Sequence, residues 1–355
     1  MVLLWHYVGC QILPAVTPAL MWLRQPVGLM WSGVDLFFVL SGFLITGILC
    51  DQKDHPHAWR TFYLRRACRI LPLYFLLLGG YALALAIGAG TQAGYAWLLA
   101  GPMPLLSYVT FTQNIFMGVA HGTGANWMGV TWSLAVEEQF YLVLPVLVFF
   151  LGRKPLAVAL VAATVLAPVL RASFPGYGAL VNTPCKADAL CLGGLLALLV
   201  RSPALLAWAN QRCRELWALF ILLFLGAAAM TFRLGPFARI ELQLGPFSAV
   251  SLFLLASLFA VLLLLVLLEP NARLFAPLAS RPLRWLGAVS YATYLFHQLI
   301  SGLLHHLLRG STPVLESVPA AAVTLLALAV TLGLAELSRR YFEGPILRWA
   351  HRPGA

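Results

Sequence analysis

Apolar blocks recur along the whole chain, at approximately 2–22, 29–49, 71–89, 132–151, 155–171, 187–201, 216–231, 248–268, 285–308 and 319–338. A helix needs about 20 mostly apolar residues to cross a bilayer. In lipid, every backbone N–H and C=O must find its partner inside the protein. The pattern therefore predicts an all-α, polytopic membrane bundle of about ten transmembrane helices joined by short loops. The chain is 61% hydrophobic and 10% charged over 355 residues, where a soluble domain carries about 25% charged residues. No polar stretch is long enough for a separate soluble unit, so residues 1–355 read as one integral membrane domain. The segment 96–117 is broken by Pro102 and Pro104 and reads as a re-entrant or surface piece. Such backbone is tolerated at membrane depth only inside protein or beside a wet cavity.

A net charge of +11 would suit nucleic acid in a soluble protein. In a polytopic chain, basic residues report topology first, and no nucleic-acid partner is expected. Placed on the ten blocks, one set of loops holds seventeen of the 23 Lys and Arg residues, and the other set holds Arg24, Arg171, Lys186, Arg233, Arg239 and Arg309. The bias puts both termini and the 50–70 loop in the cytoplasm, with an even number of spans. The six outer basic residues would draw an acid-rich partner. No cleavable signal peptide is read at the N-terminus. The six cysteines are scattered, without metal spacing or a disulfide framework, and no metal site is expected.

Ionisable residues inside spans are costly and point to function. The candidates are His6, Asp35, Glu137, Glu138, Asp188 and His297. Asp35 stands out in the otherwise apolar WSGVDLFFVLSGFLIT, Trp31 to Thr46. It sits about six residues into its span, roughly 9 Å at 1.5 Å per residue. A plainer reading exists for each. A carboxylate near a helix start is favoured by the helix dipole, which covers Asp35, Glu137 and Glu138. Neighbouring residues on a helix point about 100° apart, so at most one of Glu137 and Glu138 faces a shared site. A lone histidine such as His297 is more often a packing residue than a catalyst. Together, however, a histidine and a carboxylate supply a general base and a group that orients it.

The loop YLRRACRILPLY, Tyr63 to Tyr74, places Arg65, Arg66 and Arg69 at a cytoplasmic helix entrance. Arg65 and Arg69, four apart, share a helix face. Arginine suits bidentate phosphate binding. Arginines at this boundary also simply obey the positive-inside rule and touch lipid head groups.

Four stretches occur in order: GVDLFFVLSGFLIT (33–46), FYLRRACRILPLYF (62–75), TWSLAVEEQFYLVLPVL (131–147) and LGAVSYATYLFHQL (286–299). Together they closely resemble the type-3 acyltransferase family of integral membrane O-acyltransferases. KADALCLGGLLA (186–197) is a weaker fifth match, at a place where the family usually has arginine instead of Lys186. The resemblance implies transfer of an acyl group, usually acetyl, from cytoplasmic acyl-coenzyme A. The acceptor it implies is a hydroxyl, usually on a surface or lipid-linked glycan, in a bacterial inner or plasma membrane. It implies acyl-coenzyme A as donor substrate rather than a permanently bound cofactor. His6, in LLWHYV, matches the family's proposed base, and Arg65, Arg66 and Arg69 match the stretch associated with the coenzyme A phosphates. The family's basic residue some ten positions before that histidine has no counterpart, since five residues precede His6. The first helix is thus expected to be cut short on its N-terminal side. The chain resembles the stand-alone type, without a fused esterase-like domain.

On this reading His6 deprotonates the acceptor, and Asp35 or Glu137 orients His6 or steadies its cation. Ser41, Tyr141 and Trp132 are candidate oxyanion donors. Transfer is direct, or passes through an acylated intermediate. Gly33, Ser41 and Gly42 read as close helix packing. Two competing readings remain: a transporter or flippase using the same groups as a proton relay, and an inactive truncated homologue. No inverted repeat is evident, which weighs against transport.

Overall fold

The computed structural model describes residues 1–13, 20–24, 26–91, 93–174, 176–234 and 247–350. Among the described residues the regular elements are helices, and none is a strand. The principal helices are α1 (Val2–Leu4, continued by a π-helical turn Trp5–Gly9), α2 (Gly33–Gln52), α3 (Ala58–Ala86), α4 (Trp132–Phe150) and α5 (Arg153–Ser173). They continue with α6 (Thr183–Val200), α7 (Cys213–Leu234), α8 (Ser248–Leu268), α9 (Arg281–Arg309) and α10 (Val318–Leu337). Eight helices among the described residues are long and apolar enough to cross a membrane, namely α2 to α8 and α10. This is an all-α polytopic bundle, and large apolar side chains such as Leu222, Val143 and Leu325 are left on its outside for lipid.

Two of the ten apolar blocks depart from that list. The block at 2–22 is not one continuous helix. It is helical from Val2 to Gly9, turns at Cys10 and Gln11, and is helical again over Met21–Arg24, while 14–19 lie outside the described residues. Pro14 has no N–H to donate and disfavours helix in the residue before it. The block at 285–308 lies within α9, which at 29 residues has spanning length but carries a polar stripe. The arginine stretch also differs from its reading as a loop. Because α3 begins at Ala58, Arg65, Arg66 and Arg69 lie within a helix rather than at its entrance.

The centre of the bundle is α6, packed on α2, α5 and α8. Two glycines let α2 and α6 touch backbone to backbone. A Cβ on Gly42 would stand 1.9 Å from the Leu190 carbonyl oxygen, and one on Gly193 would stand 2.0 Å from that of Val39. With no hydrophobic effect acting between helices in lipid, such close packing supplies the cohesion. Two buried ion pairs add to it. Arg171 on α5 grips Asp188 on α6 through both guanidinium nitrogens, and Lys186 Nζ on α6 lies 2.8 Å from Asp35 Oδ1 on α2. Between α3 and α4 the chain is irregular, as expected for 96–117, with short helices Ala96–Leu99, Leu105–Val109 and Gln113–Val119. Two of its buried side-chain amides find acceptors inside the protein. The buried Gln113 amide donates to the Thr131 carbonyl at 3.0 Å, and the buried Asn114 amide donates to that of Val181 at 3.1 Å.

Candidate active site

Helix α9 organises the site. Tyr291, Tyr294, Gln298, Ser301 and His305 follow one another at steps of three and four, with His297 beside Gln298, and so share one face. Tyr291, Tyr294, Ser301 and His305 are tied to other parts of the bundle. Tyr291 donates to the Ile70 carbonyl on α3 at 2.7 Å. Tyr294 lies 2.7 Å from Ser133 Oγ and 2.8 Å from the Val130 carbonyl. Gln11 donates to Ser301 at 3.4 Å and accepts from Thr324 at 2.7 Å, and Thr324 lies 3.0 Å from His305 Nε2. The stripe therefore runs from the arginine-rich end of α3 to the N-terminal segment.

His6 meets His297 midway along this face. His6 Nδ1 is 2.8 Å from His297 Nε2, and the two rings stack with centroids 4.8 Å apart. The hydrogen bonds assign the tautomers. His297 Nδ1 lies 2.6 Å from the Tyr294 carbonyl oxygen, which only accepts, so Nδ1 carries the proton. Neutral His297 then offers its Nε2 lone pair, and His6 must donate through Nδ1–H. The basic nitrogen of His6 is therefore Nε2. The π-helical turn Trp5–Gly9 places His6 here, and its neighbour Tyr7 donates to the His297 carbonyl at 3.0 Å. Such turns are frequent at functional sites.

His6 borders a cleft of about 280 Å³. Trp31, Trp97, Trp132, Tyr177 and Tyr294 supply its aromatic wall, and Gln11, Gln298 and Asn126 its amides. Asn126 is held by donating to the Trp97 carbonyl at 2.8 Å.

The opposite end of the stripe is basic. Arg66 on α3 stacks over the Tyr141 ring, 4.3 Å from its centroid, and donates to the Tyr141 hydroxyl. That hydroxyl donates to Glu137 Oε1 at 2.8 Å and lies 2.5 Å from Ser41 Oγ. Arg69 lies over the Tyr291 ring at 5.7 Å and pairs with Glu343 at 3.3 Å. Arg65 is half-buried, and its Nε finds no acceptor. Glu138 keeps a buried Oε1 without a partner. Of the two adjacent carboxylates, Glu137 is the one hydrogen-bonded into this network.

The other candidates separate from this line. Asp35 is 2% exposed and is held by Lys186, whose ammonium also lies 5.8 Å from the Trp132 ring centroid. The partner seen on His6 Nδ1 is His297, not a carboxylate. Asp188 is held by Arg171. Trp132 lines the cleft, whereas Ser41 and Tyr141 bond to one another in the arginine network. Three of the outer basic residues are already paired within the described structure. Arg171 and Lys186 are buried in ion pairs and Arg309 pairs with Glu316. The side chain of Arg233 and the whole of Arg239 lie outside what is described, as does Arg352. Glu343, Gln11 and Trp97 were not among the sequence candidates. The 3–4 spacing of Tyr291, Tyr294, Gln298, Ser301 and His305 is the signal that points to the face they join.

The profile of a family described as an acyltransferase domain matches residues 1–335. The chain belongs to this acyltransferase family. Among its relatives is a peptidoglycan O-acetyltransferase of Listeria monocytogenes, 30% identical over 339 residues, covering 88% of this chain and 51% of that protein. A Bacillus subtilis protein whose name gives the same activity provisionally is 30% identical over 336 residues, covering 88% of this chain and 50% of its own length. A Haemophilus influenzae protein named only as uncharacterised is 32% identical over 127 residues, which is 34% of this chain and 50% of that protein. The chain thus spans about half the length of the relatives it matches. No solved structure matches it. All six candidate residues, His6, Asp35, Arg65, Arg66, Arg69 and Glu137, lie within the span matched to the acyltransferase family, whereas Glu343 lies beyond it.

Proposed function

We propose that this acyltransferase moves an acetyl group from cytoplasmic acetyl-coenzyme A to a hydroxyl of a cell-envelope carbohydrate. The observation that carries the reading is the single polar face of α9, which joins a basic end to a histidine pair beside a cleft. With the 50–70 loop cytoplasmic, as the charge bias implies, the basic end meets the donor. Arg65, Arg66 and Arg69 then hold its phosphates, and the thioester reaches inward along α9. The acceptor occupies the cleft from the other side. His6 Nε2 takes the proton of the acceptor hydroxyl. The oxygen attacks the thioester carbonyl, the C–O bond forms and the C–S bond breaks. The departing thiolate recovers the proton from His6. His297 Nε2 accepts from His6 Nδ1–H throughout and stabilises the transient imidazolium. Glu137 acts through Tyr141, holding Arg66 in place. Asp35 positions α2 through Lys186 and takes no part in the proton transfer.

The relatives' names, which give peptidoglycan as the acetylated polymer, support a glycan acceptor. The test is transfer of radiolabelled acetyl from acetyl-coenzyme A to envelope glycan by membranes containing the full chain. Alkali-labile label on the glycan supports the reading. Label that stays on coenzyme A, while glycan crosses the membrane unmodified, would replace it with transport.

A further inference from the structure

The chemistry of the cleft narrows the acceptor. Among the described residues, its lining holds no carboxylate, ammonium or guanidinium. Trp31, Trp97, Trp132 and Tyr177 line it, alongside the uncharged hydrogen-bonding groups of Gln298 and Asn126. Trp31 is 4% exposed, and its buried indole N–H has no acceptor.

The charges nearby are already committed. Lys186, 5.8 Å from the Trp132 ring centroid, is paired with Asp35, while Arg171 and Arg309 are paired with Asp188 and Glu316. Arg24 stacks over Trp5, 6.0 Å from its centroid, and is not part of the lining. An anionic group entering the cleft would lose its hydration without meeting a cation there, which is costly. A neutral sugar meets what it needs. The apolar C–H face of a pyranose lies on indole and phenol rings, and its hydroxyls or acetamido groups exchange water for the amides of Gln298 and Asn126.

We propose that this cleft is the acceptor subsite and takes an uncharged pyranose, discriminating against sugars that carry a carboxylate or phosphate. The inference rests on the reading of His6 as the base for the acceptor hydroxyl.

The test measures binding without donor, so that it does not depend on turnover. The full chain in detergent is titrated calorimetrically with the neutral trimer of N-acetylglucosamine and, separately, with trigalacturonate. The neutral trimer should bind saturably, and at least about tenfold more tightly than the anionic one. Trp97→Ala should weaken it by about tenfold. Gln298→Leu, at a half-buried position of α9, gives a second reading if the first variant does not fold, and should weaken it in the same direction. Trigalacturonate binding as tightly as the neutral trimer would overturn the proposal and turn attention to Arg24. So would the absence of saturable neutral binding, or neutral binding indifferent to both variants. Sugar binding without any acetyl transfer would leave the subsite standing and overturn the acyltransferase mechanism instead.

Discussion

His6 Nδ1 lies 2.8 Å from His297 Nε2, and His297 Nδ1 is held by the Tyr294 carbonyl at 2.6 Å. This chain fixes which nitrogen of each ring carries a proton and makes His6 Nε2 the basic one. In the proposed mechanism His297 is therefore a positioning residue. His297→Leu should lower kcat by about tenfold to a hundredfold while leaving KM for donor and acceptor near the parent values, and His297→Gln should recover part of the loss. The magnitude is set below the 10²–10⁴-fold worth of a general base. Equal damage to KM would mean that His297 merely supports the cleft.

The arginines should govern the donor and not the acceptor. Arg66→Lys keeps the charge but loses the planar fork that bonds Tyr141 while lying over its ring. Donor KM should rise by about tenfold, from the ~1.5–3 kcal/mol of a charged hydrogen bond, and acceptor KM should hold. Steady-state kinetics with each substrate varied in turn decides it.

Glu343 occupies Arg69 at 3.3 Å, on the π-helical turn Ser338–Glu343 after α10. In the proposed mechanism this carboxylate competes with an incoming phosphate for Arg69. Glu343→Gln should lower donor KM about threefold, a change on the order of a partly exposed ion pair. A rise in donor KM would show that Glu343 holds Arg69 in its working position.

The Arg171–Asp188 pair is buried on both sides, at 0% and 1% exposure. Removing one partner strands a charge in the bundle core. Arg171→Ala should cost about 3–5 kcal/mol, and Arg171→Met combined with Asp188→Leu should recover most of it. Thermal unfolding in one detergent compares the three proteins.

Gly42→Ala should abolish recovery of folded protein, since its Cβ would fall 1.9 Å from a carbonyl oxygen of α6. Gly79→Ala meets nothing within 4 Å and serves as the control. Yield of monodisperse protein on size exclusion separates them.

The bundle was legible because apolar block length is a direct consequence of bilayer thickness. Seven of the eight apolar spanning helices, α2 and α4 to α8 with α10, fall on blocks visible in the sequence, and α3 starts well before its block. The first block misled because composition alone does not show the turn at Cys10 and Gln11. His6, Glu137 and the arginines stood out by chemical type. Their partners did not, because pairing is a property of the fold: Asp35 and Lys186 are 151 residues apart in sequence, and His6 and His297 are 291 apart. His297 was discounted as a packing residue for the same reason. The aromatic cleft draws on several separate segments, so no local pattern announces it.

In the proposed mechanism His6 takes the acceptor's proton during acyl transfer. The most direct measurement is free coenzyme A released from acetyl-coenzyme A by the purified chain, with and without an envelope glycan extract, for the parent and His6→Ala. The account predicts acceptor-dependent release that falls by about 10²–10⁴-fold in His6→Ala, with the variant still folded. Release that persists in His6→Ala, or that ignores the acceptor, would contradict it.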